Sequence, residues 1–188
     1  MKKVLVSLSD NIGLVFDPKD VRFLREKFRI VGSMIGSLDN QPIQNSLLGI
    51  PLSLLPEEIA LLLEKVPDVD TVSNIHQGII AQDTINYEWP KTEFDKIKKL
   101  VFSDLWNKGH YITSGLKFGG DYLVYNGDPF LYHSNFIATV LNYEELLSGH
   151  DLVALGRIGT NVKKNRVLCS FDFESNSCIY ITIRWSGF

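Results

Sequence analysis

The sequence predicts an α+β fold in two domains, and three observations carry that reading. Its 188 residues are 45% hydrophobic and 22% charged, the composition of an ordinary globular chain with a core to bury. Short runs rich in β-branched residues alternate with stretches at helical spacing, and those stretches open on capping signals. Between the halves, residues 74–91 hold Asn74, Gln77, Gly78, Gln82, Asp83, Asn86 and Pro90 without a clear period. That segment reads as a linker between a domain over 1–73 and another over 92–188.

Element by element, Val4–Ser9 and Ile12–Phe16 read as two strands around Asp10-Asn11. Asp17 is the N-cap of a helix with Pro18 in its first turn, and Val21, Leu24 and Phe28 form its apolar face. Pro56, Glu57 and Glu58 open a second helix, continued by Ile59, Leu62, Leu63 and Val66; Val69–Val72 is a short strand. Thr92 and Asp95 make a variant capping box for a third helix. Phe94, Ile97, Leu100, Val101, Leu105 and Trp106 line that helix, and Gly109 ends it.

The pattern then turns to strands at Tyr111–Thr113, Tyr122–Tyr125 and Asn135–Leu141, with Gly119-Gly120-Asp121 as a tight turn. Asn142 and Glu145 cap a short helical turn, and Asp151 to about Lys163 reads as a helix that tolerates Gly156 and Gly159. The closing hairpin runs Arg166–Phe173 and Cys178–Trp185. In its last strand Ile179, Ile181, Ile183 and Trp185 share one face, and Tyr180, Thr182 and Arg184 the other. The second half is therefore a mixed sheet with helices against it.

Several classes are excluded. The most apolar stretch, Leu47 to Leu63, is broken by Pro51, Pro56, Glu57 and Glu58, so it does not span a membrane. The start, MKKVLVSLSDN, lacks the apolar length and cleavage site of a signal peptide. Cys169 and Cys178 flank a turn-like FESNS in neither a zinc nor a redox pattern, and read as reduced thiols. His76, His110, His133 and His150 have no metal-ligand spacing, so no metal is expected. GxSxG, P-loop and GxGxxG motifs are absent. The net charge of −3 is no global nucleic-acid signature. Locally, however, Arg157, Lys163, Lys164 and Arg166 place four cations in ten residues with no acid, a solvated face or a phosphate site.

A tyrosine, a histidine and a lysine remain as chemistry. Tyr125 ends the strand DYLVY, His133 precedes the next strand, and Lys164 stands where the last helix gives way to the hairpin. Loop-edge positions such as these can converge on one side of a sheet. On the residues alone, Tyr125 also reads as half-buried packing and His133 as an ordinary surface histidine.

The stretches GLKFGGDYLVYNGDPFLYHSNFIA and DLVALGRIGTNVKKNRVLC resemble the catalytic subunits of eukaryotic tRNA-splicing endonucleases that cut at the 3′ splice site. The likeness covers about 95–188, and QNSLLGIPLSLLPEEIALLLEK (residues 44–65) matches the N-terminal domain of the same tRNA-intron endonuclease family. It implies a small N-terminal mixed α/β domain and a C-terminal nuclease domain whose mixed β-sheet is flanked by helices. It places the catalytic roles on Tyr125, His133 and Lys164. It also places a cation–π clamp on the RNA at Arg157 and Trp185. Two departures stand out: Asn126 where the family has Pro, and Lys163 where it has Arg, which keeps the charge but loses the planar fork.

The implied reaction is attack by the RNA's own 2′-OH on the neighbouring phosphate. Histidine suits the acid, since an imidazole ordinarily titrates near pH 6.5. Lysine suits stabilisation of transition-state charge. A phenol ordinarily titrates near 10, so Tyr125 as base requires nearby cations. The products would be a 2′,3′-cyclic phosphate and a 5′-OH, with no cofactor. A metal-dependent nuclease would need a D/E-x-K element, but Asn161 and Val162 stand two residues before Lys163 and Lys164. The alternative is a non-catalytic, tRNA-binding or scaffolding subunit, and the family's subunits of that kind lack the triad. The resemblance further implies intron-containing pre-tRNA as substrate. It also implies a heterotetramer with a second catalytic subunit and two structural subunits, and pairing through the C-terminal strand. A lone chain would then homodimerise through that strand. The expected compartment is the nucleus, or else the cytoplasm or an outer organelle surface.

Overall fold

Caps fix where the helices begin. In the computed structural model, which describes residues 3–9, 11–37, 49–66, 68–73, 75–76, 79–80, 86–161 and 164–184, Asp17 Oδ1 accepts the Lys19 N–H at 2.8 Å and α1 runs Pro18–Phe28. Helix α2 spans Pro56–Lys65 and α3 Glu93–Asn107. At the start of α3, Thr92 Oγ1 accepts from Asp95 N at 3.0 Å, and Asp95 Oδ2 accepts from Thr92 N at 2.9 Å. These bonds hold the Asp95 carboxyl below its usual range against the burial that raises it.

The chain divides into two units, Met1–Trp89 and Pro90–Phe188. In the first, β1 (Val4–Ser9), β2 (Ile12–Val15), β3 (Ser33–Gly36), β4 (Gly49–Leu54) and β5 (Val69–Ser73) form one sheet in the order β3-β4-β2-β1-β5. β1 and β5 are parallel; the other neighbours are antiparallel. Val6, Val15, Leu24, Leu52, Leu54, Ile59 and Leu62 are buried in its core. Strands β3 and β4 were not expected from the sequence, because Pro51 reads as a breaker yet lies within β4. The segment read as a linker carries a small ladder, β6 (Ile75–His76) against β7 (Ile79–Ile80).

Glu58 departs from the sequence reading of a first-turn acid. It is buried and accepts the backbone N–H groups of Val31 (3.2 Å), Gly32 (2.9 Å) and Leu55 (2.9 Å). Burial pushes its carboxyl up to about 7, against the lowering effect of those three donors.

The second unit is also a five-stranded sheet, β8 (Tyr111–Ser114), β9 (Tyr122–Tyr125), β10 (Phe136–Val140), β11 (Asn165–Asp172) and β12 (Ser177–Ile183), in the order β12-β11-β10-β9-β8. β10 and β11 are parallel, joined through α4 (Gly149–Asn161). Ser148 and Asp151 cap α4, their side chains 2.6 Å apart. Asn142 and Glu145 form a turn rather than a helix, with Glu145 N donating to the Asn142 carbonyl at 3.1 Å. Helix α3 covers the face carrying Tyr122, whose ring meets Phe102 edge-on at 5.4 Å. Tyr122, Ala138 and Val167 share that face by register. The opposite face carries Leu123, Ile137 and Arg166, and Gly159 of α4 lies against it near Arg166. Both cysteines are free thiols; Cys169 is buried, and burial pushes it up to about 12.

Arg166 corrects the reading of the four-cation run as a solvated face. Its side chain is fully buried and donates to the Gly119 carbonyl (2.8 Å), the Phe118 carbonyl (3.1 Å) and Thr139 Oγ1 (2.7 Å). Burial lowers its pKa, with Asp121 opposing. The turn it fastens needs both glycines. Gly119 has φ 67°, and a Cβ on Gly120 would stand 2.4 Å from Ile137 Cγ2. Asp121 pins the same turn through Lys98 (2.7 Å) and the Val140 N–H (2.8 Å).

Candidate active site

Strand register collects the candidate residues. β9 runs antiparallel to β10, with Val124 opposite Phe136, and β11 runs parallel to β10, with Asn165 opposite Phe136. The end of β9 and the starts of β10 and β11 therefore lie at one end of the sheet. Tyr125 is the last residue of β9, His133 lies three residues before β10, and Lys164 immediately precedes β11.

Local bonds hold each position. The Tyr125 side chain is half-buried, and its hydroxyl lies 3.4 Å from Thr113 Oγ1 on β8. Its carbonyl oxygen is 3.3 Å from His110 Nδ1. In the following turn, Asp128 Oδ1 accepts from Phe130 N at 2.8 Å, and the Asp128 carbonyl accepts from Leu131 N (2.8 Å) and Tyr132 N (3.0 Å). This Asx turn delivers an exposed His133. Asn135 N then donates to the Val124 carbonyl at 2.7 Å, tying the return to β9.

Lys164 N donates to the Gly159 carbonyl at 2.9 Å, and its ammonium donates to the Ser134 carbonyl at 3.2 Å. Its charge is thus held one residue from His133 and meets a neutral acceptor among the described residues. Arg157 is exposed on α4. Trp185 and Lys163 lie outside the described residues. Thr113, His110 and the Ser134 carbonyl were not singled out from the sequence. The alternation in YITS, which sets Tyr111 and Thr113 on the face of Tyr125, was the available signal.

Comparison with known proteins agrees with both halves. Residues 4–69 match the family described as TSEN34-like, N-terminal domain, and residues 96–182 match tRNA intron endonuclease, catalytic C-terminal domain. The chain is similar to the human tRNA-splicing endonuclease subunit Sen34, 36% identical over 102 residues, covering 53% of this chain and 33% of that protein. The mouse Sen34 subunit is 35% identical over 102 residues, covering 53% of this chain and 32% of its own length. The tRNA-splicing endonuclease of Saccharolobus solfataricus is 33% identical over 101 residues, covering 53% of this chain and 56% of the archaeal protein. The matches thus span about a third of the mammalian relatives and just over half of the archaeal one. The chain belongs to the tRNA-splicing endonuclease family, as a TSEN34-like N-terminal domain followed by a tRNA intron endonuclease catalytic domain.

Proposed function

We propose that this chain is an endoribonuclease subunit that cleaves intron-containing precursor tRNA at the 3′ splice site. The observation that supports this most is the ammonium of Lys164 on the Ser134 carbonyl at 3.2 Å, beside His133 and at the same sheet end as Tyr125. In this reading the Tyr125 oxygen takes the proton of the attacking 2′-OH. The 2′-oxygen bonds to phosphorus as the bond to the 5′-oxygen breaks, and His133 protonates that leaving oxygen. Lys164 stabilises the charge that builds on the non-bridging oxygens. The products are a 2′,3′-cyclic phosphate and a 5′-OH, and the three side chains supply base, acid and cation without a metal ion.

Arg157, with Trp185, is proposed to clamp an unpaired base near the cut. The partners proposed are the other subunits of a splicing endonuclease, docked along β12. That strand is an edge of its sheet, and Ile181 on it is 58% exposed.

The test is cleavage of an intron-containing pre-tRNA by the assembled complex in EDTA. The 3′ site should still be cut, leaving a cyclic phosphate, and His133→Ala should slow that cut by about 10²–10⁴-fold. Loss of wild-type cutting in EDTA would contradict the metal-free mechanism. Unchanged 3′ cutting by a folded His133→Ala complex would remove His133 from it.

A further inference from the structure

The α3 face of the C-terminal sheet carries a pocket of about 320 Å³ at the same strand ends as the candidate site. Tyr125 faces away from it: Val124 pairs with Phe136, Phe136 lines the pocket, and Tyr125 alternates with Val124. The pocket and the proposed chemistry therefore lie on opposite faces of one sheet end. They are joined by neighbours in the chain, since Asn165 follows Lys164 and Asn135 follows Ser134.

Leu105, Phe136 and Val167 give the pocket its apolar lining, and neighbours hold the side chains of Asn165, Asn135, Tyr180, Lys108 and His110. Asn165 Oδ1 accepts from Arg184 Nε at 3.3 Å, and Asn135 Nδ2 donates to Asn126 Oδ1 at 3.4 Å. Among the described residues this leaves Asn165 an amide NH2 to donate and Asn135 a carbonyl oxygen to accept. Asp104 accepts from both the Tyr180 hydroxyl and the Lys108 ammonium, and that ammonium lies 4.2 Å from the Tyr180 ring centroid. His110 is set by the Tyr125 carbonyl on one side and meets Phe136 edge-on at 6.2 Å. Aromatic and aliphatic walls with one amide donor and one amide acceptor match a planar base read along its hydrogen-bonding edge.

We propose that this pocket receives an unpaired RNA base flanking the scissile phosphate, anchoring the strand across the sheet end while the phosphate lies against Lys164. The proposal rests on the reading of the chain as an RNA-cleaving subunit. Occupying the pocket would fix the neighbouring nucleotide in register, so it contributes binding and placement rather than proton transfer.

The test uses the full chain and an RNA duplex interrupted by an unpaired bulge, with a 2′-O-methyl group at the attacking position so that it is not cut. Abasic residues are placed one at a time along the bulge. One position should weaken binding about tenfold. Thr182 is an exposed pocket residue on an edge strand, where tryptophan suits the backbone. Thr182→Trp should fill the pocket and cost a similar factor on the intact RNA. On the RNA abasic at the sensitive position it should cost nothing further, because both changes remove one contact. Asn165→Leu, which leaves the pocket open but removes the amide, should show the same non-additivity with a smaller loss. Binding by both folded variants equal to wild type at every position would overturn the proposal, and so would losses that add fully to the abasic penalty. Cutting of unmodified RNA is scored separately. A wild-type chain in its assembled complex that binds with abasic sensitivity but never cuts would sink the catalytic reading and leave the pocket standing.

Discussion

The N-terminal and C-terminal sheets each hold five strands with one parallel pair, β1 with β5 and β10 with β11. A lysine stands just before a strand of each pair. Lys3, before β1, lies 3.1 Å from the Asp70 carboxylate, whereas Lys164, before β11, lies 3.2 Å from the Ser134 carbonyl. A carboxylate cancels the ammonium's charge; a carbonyl orients it and leaves the charge for an anion. The same residue type at the same kind of strand end is thus a surface ion pair in one sheet and, in the function proposed above, the cation that meets the phosphate in the other.

The buried ionisable groups repeat the contrast with opposite sign. Glu58 closes backbone N–H groups of the N-terminal unit, and Arg166 closes backbone carbonyls of the C-terminal unit. Burial pushes both toward neutrality, raising the acid and lowering the guanidinium. Glu58 secures a fold interior. Arg166, two residues after Lys164, secures the Phe118-Gly119 turn before the start of β9, across the sheet from the strand end that carries the candidate site.

The largest expected effect separates chemistry from packing at that strand end. Tyr125→Phe keeps the ring in its half-buried place and removes only the oxygen near Thr113. Cleavage at the 3′ site should fall by about 10²–10⁴-fold with an unchanged melting curve; full activity would return Tyr125 to a packing role. Next, Arg166→Met leaves two carbonyls and a hydroxyl without their donor, at a cost of roughly 3 kcal/mol or more in chemical denaturation of the C-terminal unit. A loss under about 1 kcal/mol would show that the turn closes without it.

Glu58 gives the N-terminal unit a pH dependence. Its folded pKa, about 7, lies above the ordinary value of 4.5, so the folded state holds the proton more tightly. The contribution is fully present below about 4.5 and is lost as pH rises toward 7, by up to about 3 kcal/mol. Hydrogen exchange at the Val31 and Gly32 amides should quicken over that range beyond the ordinary rise in intrinsic exchange. Glu58→Gln should flatten that excess; a wild-type protein without it would place the carboxyl in a wetter setting. The smallest effect is at a cap. Thr92→Ala removes the acceptor for Asp95 N and should cost about 1 kcal/mol, read as a small drop in the melting temperature of the C-terminal unit.

What the sequence made legible follows from where its signals are local. Asp17-Pro18, Pro56-Glu57 and Thr92 with Asp95 announce helix starts because caps act within one turn. Short β-branched runs announced β8 to β12 for a similar reason. Strand β4 was hidden, since Pro51 looks like a breaker until β3 and β2 pair on either side. The fates of Glu58 and Arg166 were hidden as well. Nothing within a few residues shows that one carboxyl turns inward to Val31 and Gly32, or that one cation of four reaches Gly119, 47 positions away. Tyr125, His133 and Lys164 were legible as chemistry-bearing types at strand ends. Their common location depends on register, which emerges only when the sheet is assembled.

The contrast between the two lysines is tested most directly by one side-by-side measurement. Complexes carrying Lys164→Ala or Lys3→Ala are compared for single-turnover cleavage of an intron-containing pre-tRNA at its 3′ site. Lys3→Ala should match wild type. Lys164→Ala should fall by about 10²–10³-fold, with cutting at the 5′ site preserved. Equal 3′ cleavage by the two variants would contradict the account.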